Sequence, residues 1–333
     1  MTETTLASRD SIISAMQTPA FYDHAFESVT MLQTHISWVF LTGEFAYKVK
    51  KPMNFGFLNF TELTQRRHFC DEELRLNKRL AEPLYLETVR ITGSLDKPVL
   101  NGEGETIEYA VKMRQFDQSA LVDQLLDKKQ LSAEHIDDIA DQVAAFHQEI
   151  AVSGNTSTLG TADSVNAPVI QNFDQLDPLI TDTESRDQLK RLQQWSEHEF
   201  TKIQATLQQR KEAGFVRECH GDMHLGNMAL IDGKVTIFDG IEFNDEFRWI
   251  DVMSEVSFLI MDLIDRKRED YAYRFLNRYL AQTGDYLGLQ VLRFYLVYRG
   301  MVRAKIAIFT LLPPDLAVSH SEKTLSQYRT YTT

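Results

Sequence analysis

Residues Glu218 to Met228 read Glu-Cys-His-Gly-Asp-Met-His-Leu-Gly-Asn-Met, and a further carboxylate, Asp239, closes the run Lys-Val-Thr-Ile-Phe-Asp-Gly. The polar groups sit in a glycine-punctuated turn before two short β-type runs. These runs meet at Asp232-Gly233, the dipeptide that best accepts the positive φ angles of a tight hairpin, and a hairpin there brings Asp239 back toward the turn. Phosphoryl transfer needs a carboxylate that orients an attacking hydroxyl and accepts its proton, and hard oxygen ligands that hold Mg²⁺ against phosphates. Asp222 is the candidate for the first role. Asn227 and Asp239 are candidates for the second, as an amide-and-carboxylate oxygen set of the kind Mg²⁺ prefers. A rival chemistry uses His220, Asp222, His224 and Asp239 as ligands of a hydrolytic zinc or metal pair, and leaves the Asn227 spacing unexplained.

The elements that would position these residues begin upstream. Ile36 to Lys51 forms two β-type runs broken at Thr42-Gly43-Glu44, with Phe45, Tyr47 and Val49 on one side and Ala46, Lys48 and Lys50 on the other. Leu63 to Leu80 has a helical pattern that carries Glu72 and Glu73, and strands are expected at 86–92 and 107–114. The first ~115 residues therefore read as a small β-rich lobe with one helix. Ser132 reads as the cap of a helix whose face is Ile136, Ile139, Ala140, Val143 and Phe146. Residues 151–168 read as a loop, 183–212 as a long charged helix, and 249–312 as apolar helices with aromatics at Phe294, Tyr295 and Tyr298. Asp251 has two structural readings, a helix N-cap or a carboxylate that accepts backbone N–H groups of the catalytic loop. His147 reads as a core or interlobe histidine. Arg299 and Arg303, four apart on one helix face, read either as partners of nearby carboxylates or as binders of an acidic substrate.

Bulk composition narrows the partners. With 48 acidic against 35 basic residues the chain carries a formal charge of −13, so generic affinity for nucleic acid or anionic membrane is not expected, and a small cationic or neutral second substrate suits the field. The two cysteines, Cys70 and Cys219, form no C-x-x-C spacing, which fits a reducing, cytoplasmic setting. No leader or membrane-length apolar stretch is apparent, and the chain reads as soluble.

The pattern His220-Gly221-Asp222-x-His224-x-x-Asn227, followed by a hairpin and Asp239, resembles that of the aminoglycoside phosphotransferase and choline kinase group of kinase-like enzymes. The resemblance implies an α+β, protein-kinase-like fold of two lobes, a β-rich lobe over 1–115 and a mostly helical lobe over 116–333. It implies ATP and Mg²⁺ as cofactors, Asp222 as catalytic base, Asn227 and Asp239 as magnesium ligands, and His220 and Asp251 as structural support. It also implies a phosphate-holding strand lysine paired with a helix glutamate. Lys48, in Ala46-Tyr47-Lys48, matches the lysine and competes with Lys50; Glu73 matches the glutamate and competes with Glu72. With no glycine triplet present, phosphate contact falls to backbone groups at Thr42, Gly43 and Glu44. Glu242 stands one position later than the acidic residue that many relatives place after the metal aspartate, and stays open as a metal or substrate residue.

The implied activity is transfer of the γ-phosphate to a hydroxyl of a small-molecule acceptor, since the A-P-E signature of regulated protein kinases is absent; the alternative is a nucleotide-binding regulatory module with little turnover. Ala-Tyr-Lys-Val-Lys-Lys-Pro, Phe-Gly-Phe-Leu-Asn-Phe and the helix from Arg66 further resemble an uncharacterised bacterial phosphotransferase-like subfamily often fused to a P-loop domain. The chain itself has no G-x-x-x-x-G-K-[ST], which makes a separate P-loop nucleotide-binding protein an expected partner.

Overall fold

The computed structural model describes residues 11–311, which hold a helical stretch at 11–16 followed by ten strands and nine further α-helices. These pack as two units: the described residues through Gln124 together with Ala229–Asn244, and Leu125–Met228 together with the described residues from Asp245 onward.

The first unit is built on an antiparallel sheet of β1 (Thr30–Gln33), β2 (Ser37–Leu41), β3 (Phe45–Lys50), β4 (Tyr85–Ser94), β5 (Lys97–Leu100) and β6 (Thr106–Arg114), in the order β1-β2-β3-β6-β4-β5. Strand alternation sends Tyr47 and Val49 of β3 into one core with Ile12, Met16, Tyr22, Phe40, Val89 and Ile91. The opposite face, which carries Ala46, Lys48 and Lys50, receives α1 (Leu63–Ala81), whose buried positions Arg66, Cys70, Glu73, Asn77 and Ala81 recur every three or four residues. That stripe selects Glu73 over Glu72, which lies on the outer side and pairs with Arg75 at 2.8 Å. The hairpin of β8 (Met228–Ile231) and β9 (Lys234–Ile237) turns through Asp232 and Gly233 at φ 50° and 79°, as the dipeptide predicts.

Two sequence expectations are corrected here. The lobe boundary expected at residues 115 and 116 falls after Gln124, inside α2 (Val122–Asp127), and most of the hairpin assigned to the helical half packs with the β-rich unit. The reason is apolar: Ile231 and Phe238 fill the core cluster of Cys70, Leu84, Tyr85 and Val111, and Phe238 meets Phe116 with ring centroids 5.3 Å apart. The loop expected over 151–168 gives way to α4 (Ala162–Leu176), which follows α3 (Ala133–Glu149) and runs through Pro168. Thr161 caps it by accepting from Ser164 N, and Val169, Phe173 and Leu176 bury one face. That burial outweighs the helix penalty of one proline.

The second unit continues with α5 (Thr183–Glu212), β7 (Val216–Glu218), α6 (Asp245–Arg248), β10 (Trp249–Asp251), α7 (Val252–Asp265), α8 (Glu269–Thr283) and α9 (Leu289–Leu311). β7 pairs antiparallel with β10, and α7, apolar around most of its circumference, is buried from Val252 to Leu263. Among the described residues no helix is long and apolar enough to cross a membrane.

One ionic knot closes this unit. Arg210 of α5, with no exposed surface, donates to Asp251 at 2.7 and 2.8 Å and to Asp285 at 2.6 and 2.7 Å. Its guanidinium lies 4.3 Å from the centre of the Phe215 ring. Arg210→Met would strand two buried carboxylates; the expected loss is about 3–5 kcal/mol of unfolding free energy, read from urea denaturation of the full chain.

Candidate active site

In the β-rich unit, β3 carries Lys48 and Lys50 two residues apart, hence on the same face. The fully buried Glu73 divides its carboxylate between them, Oε1 at 2.8 Å from Lys48 Nζ and Oε2 at 2.6 Å from Lys50 Nζ. Lys48 Nζ also lies 2.5 Å from Asp239 Oδ1, while Lys50 donates to Glu242 Oε1. The two lysines that compete in sequence are thus both engaged by Glu73, and Lys48 is the one that reaches Asp239.

Burial alone would disfavour the Lys48 ammonium, but Asp239 and Glu73 outweigh it and hold it protonated, well above the ordinary lysine range. Burial likewise works against an ionised Glu73, and Lys48 and Lys50 pull it well below the carboxylate range. Two ammonium groups face three carboxylates here, and the surplus falls on Glu242, which burial and then Glu73 push upward against the pull of Lys50. Glu242, left open in sequence, is therefore the buried partner of Lys50.

Asp239 is held at φ 62°, a left-handed conformation that costs an L-residue roughly 1–2 kcal/mol. Its N–H donates to Tyr85 Oη at 3.2 Å, and Gly240 N–H donates to Asn77 Oδ1 at 2.8 Å, so α1 and β4 fix this bend. The Asp239 side chain is 43 % exposed, against 10 % or less for Lys48, Lys50, Glu73 and Glu242. The solvent-facing carboxylate of Asp239 is an oxygen ligand of the kind a hard divalent cation takes.

The turn at Thr42 and Gly43 is engaged within its own unit. Thr42 N–H donates to Phe45 O at 2.9 Å, and Gly43 N–H donates to Gln115 Oε1 at 2.9 Å. Two of the three backbone donors expected at phosphate are therefore already hydrogen-bonded, because the turn closes on itself and on the end of β6.

In the helical unit, the segment from Cys219 to Asn227 is held chiefly by its backbone. Gly221, at φ 89°, donates its N–H to Glu255 Oε1 at 2.6 Å and accepts at its carbonyl from Arg299 at 3.3 Å. Leu225 N–H donates to Asp262 Oδ2 at 2.9 Å, and Asp222 N–H donates to His220 Nδ1 at 3.3 Å. Asn227 Nδ2 donates to Asp222 Oδ2 and to Asp222 O, each at 3.0 Å, which leaves the amide oxygen as its metal-type ligand atom. His224 Nε2 stands 3.5 Å from Asp222 Oδ2. Burial would raise the Asp222 carboxyl, but His224 first, then His220 and Arg303, hold it below the usual carboxylate range. Among the described residues the His, Cys and carboxylate atoms close enough together to share one ion are those of His147, Cys219 and Glu255, all buried. His220, Asp222 and His224 are not such a group.

Asp251, expected either to cap a helix or to hold the catalytic loop, does the first: it accepts from Met253 N at 2.8 Å and from Arg210. The loop's N–H groups go to Glu255 and Asp262 instead, because these lie four and eleven residues farther along α7, on the face that meets the loop. Both were missed, although acids at that spacing in an otherwise apolar helix are a readable signal. His147 is buried between Tyr279 Oη at 2.9 Å and Glu255 Oε2 at 2.8 Å. Arg299 is spent on Gly221 O and on the carbonyl and hydroxyl of Ser254.

No family model matches the chain. Over 278 residues it is 28 % identical to uncharacterized proteins of Mycobacterium tuberculosis and Mycobacterium bovis; the match covers 84 % of this chain and 54 % of theirs, so the chain spans about half the length of the curated relatives it matches. Among solved structures, amicoumacin kinase in complex with AMP-PNP, Ca²⁺ and Ami aligns with a TM-score of 0.61 at 12 % identity, over 100 % of this chain and 95 % of that one. Plasmodium vivax ethanolamine kinase aligns with 0.55 at 11 % identity, over 99 % and 88 %. An aminoglycoside phosphotransferase of Alicyclobacillus acidocaldarius aligns with 0.50 at 13 % identity, over 94 % and 89 %. At these identities the likeness is one of fold. The chain has the α+β, kinase-like fold that aminoglycoside phosphotransferases and choline and ethanolamine kinases share.

Glu255 joins this loop to the helices beneath it. Glu255→Ala removes the acceptor of Gly221 N–H and the partner of His147; the expected cost is about 2–4 kcal/mol, measured by chemical denaturation.

Proposed function

We propose that the chain is an ATP- and Mg²⁺-dependent phosphotransferase that moves the γ-phosphate of ATP to a hydroxyl of a small-molecule acceptor. The observation that carries this reading is the buried Lys48 ammonium, shared between Glu73 at 2.8 Å and the exposed Asp239 at 2.5 Å, in a chain of kinase-like fold. A lysine so placed can exchange the exposed carboxylate for phosphate oxygens.

In this reading Asn227, through its amide oxygen, and Asp239, through its carboxylate, hold the metal. Bound there, Mg²⁺ would neutralise charge on the transferring phosphate. Asp222 orients the acceptor hydroxyl: as the acceptor oxygen bonds to the γ-phosphorus and the bond to the ADP oxygen breaks, the hydroxyl proton passes to the Asp222 carboxylate. His220 and Glu255 position the loop that carries it. Thr42 and Gly43 would contribute phosphate contacts only after Gln115 releases Gly43 N–H. A P-loop nucleotide-binding protein as partner belongs to the same proposal; nearly half of each curated relative lies outside the match.

Asp222→Asn is expected to keep Mg²⁺-dependent nucleotide binding by calorimetry while transfer falls on the order of 10²–10⁴-fold. Full ATP-dependent transfer by this variant to an identified acceptor would overturn the assignment. A second expectation concerns pH. A carboxyl held below its usual range stays ionised to lower pH, so the acid limb due to Asp222 in a rate profile should lie below pH about 4, the ordinary aspartate value.

A further inference from the structure

We infer that Lys50 and Glu242 form a second, dry ion pair that positions Asp239 for its metal and keeps Glu73 paired when Lys48 turns to phosphate. The inference deepens the proposed function and rests on it. Its basis is a chain of five alternating charges, Asp239, Lys48, Glu73, Lys50 and Glu242, every neighbour in contact. The pair of Lys48 with Glu73 is the part that the kinase reading uses; Lys50 and Glu242 are not required by it.

The chain has one wet end and one dry end. Asp239 is 43 % exposed, whereas Lys50 and Glu242 are buried, with Lys50 over the Phe60 ring at 5.0 Å. Both ends lie on one short segment, three residues apart, after β9. Lys50 thus pins that segment at Glu242 while α1 and β4 pin it at Gly240 and Asp239 through Asn77 and Tyr85. Asp239 can then release Lys48 with its backbone still held in the left-handed bend. Glu73 faces the complementary difficulty, since a buried carboxylate left without a cation is strongly disfavoured. With Lys50 on Oε2, Glu73 keeps one ammonium whichever way Lys48 points. Lys50 is therefore a positioning residue, and the same argument assigns Glu242 to Lys50 and not to metal.

The test uses the full-length chain and AMP-PNP titrated by calorimetry over a range of Mg²⁺ concentrations, with thermal unfolding followed in parallel. Lys50→Met with Glu242→Gln removes the pair without leaving Glu242 charged and alone. It is expected to fold, to bind nucleotide without metal as wild type does, and to need about 10- to 100-fold more Mg²⁺ for the metal-dependent gain in affinity, the size of effect typical of lost outer-shell support. A purely structural pair would lower the unfolding temperature and leave the Mg²⁺ dependence unmoved; that result overturns the inference. Should the double variant not fold, Glu242→Gln alone, which keeps Lys50 on Glu73, carries the same readout: a higher Mg²⁺ requirement supports the inference and an unchanged one overturns it. Wild type that shows no Mg²⁺-dependent nucleotide binding at all would instead overturn the phosphotransferase reading.

Discussion

Glu73 is a carboxylate with no exposed surface, and the arrangement of the β-rich unit follows from the need to keep it paired. Removing an isolated carboxylate from water is prohibitively expensive, so a buried glutamate is tolerated only where cations or hydrogen-bond donors meet it. Here they come from alternate residues of β3, which fixes the register of that strand beneath α1. Slipping β3 by one residue would turn Tyr47 and Val49 toward Glu73 and both lysines into the apolar cluster. The helix is equally constrained: Arg66, Cys70, Glu73 and Asn77 share one stripe, and Arg66 is itself paired with the buried Glu108 at 2.8 Å.

The same rule governs the helical unit with the signs reversed. The catalytic-type loop is short and irregular, and its N–H groups need acceptors that water does not supply. α7 provides them as carboxylates set into an apolar helix, with Glu255 on Gly221 and Asp262 on Leu225. Each acid is then compensated in turn: Glu255 by His147, Asp262 by Arg266 at 3.3 Å, and Asp251 by Arg210. Burial would raise the Glu255 carboxyl, but His147, His220 and the Gly221 N–H together hold it below its ordinary range. The loop geometry is thus a consequence of a charge network two layers deep.

Much of this was legible from residue order, and the failures have a common cause. The strand alternation around Lys48, the helix over Glu73, the Asp232-Gly233 hairpin and the Ser132 cap depend on local chemistry, which a sequence displays directly. Which lysine pairs with Glu73 was posed as a choice because alternation cannot tell Lys48 from Lys50; the structure engages both. Glu255 and Asp262 were passed over because their function depends on which backbone N–H lies opposite, a tertiary fact. α4 was masked by a proline and by Ser, Thr and Asn around it, and only its burial against neighbouring helices reveals it. Asp251 satisfied one of its two local readings, and the other was taken by a residue one helical turn away.

The basic cluster Lys48, Lys50 and Lys51 shows how a charge run misleads when read as surface. All three are buried; Lys51 donates to Thr34 O at 2.5 Å, with its ammonium 5.4 Å from the Trp38 ring centre. In a chain of net charge −13 these cations, paired with buried acids or a backbone carbonyl, therefore form no basic surface patch. A polyanion approaching at random meets repulsion, and attraction arises only where a cation's partner is itself exposed. Of the three lysines, Lys48 alone meets that condition, because Asp239 faces solvent while the partners of Lys50 are buried and that of Lys51 is a backbone carbonyl. A divalent cation at Asp239 would release Lys48 electrostatically and add positive charge at the same point. On the proposed function, anion affinity at this position would rise with the metal, a property of how the charges are layered and not of how many there are.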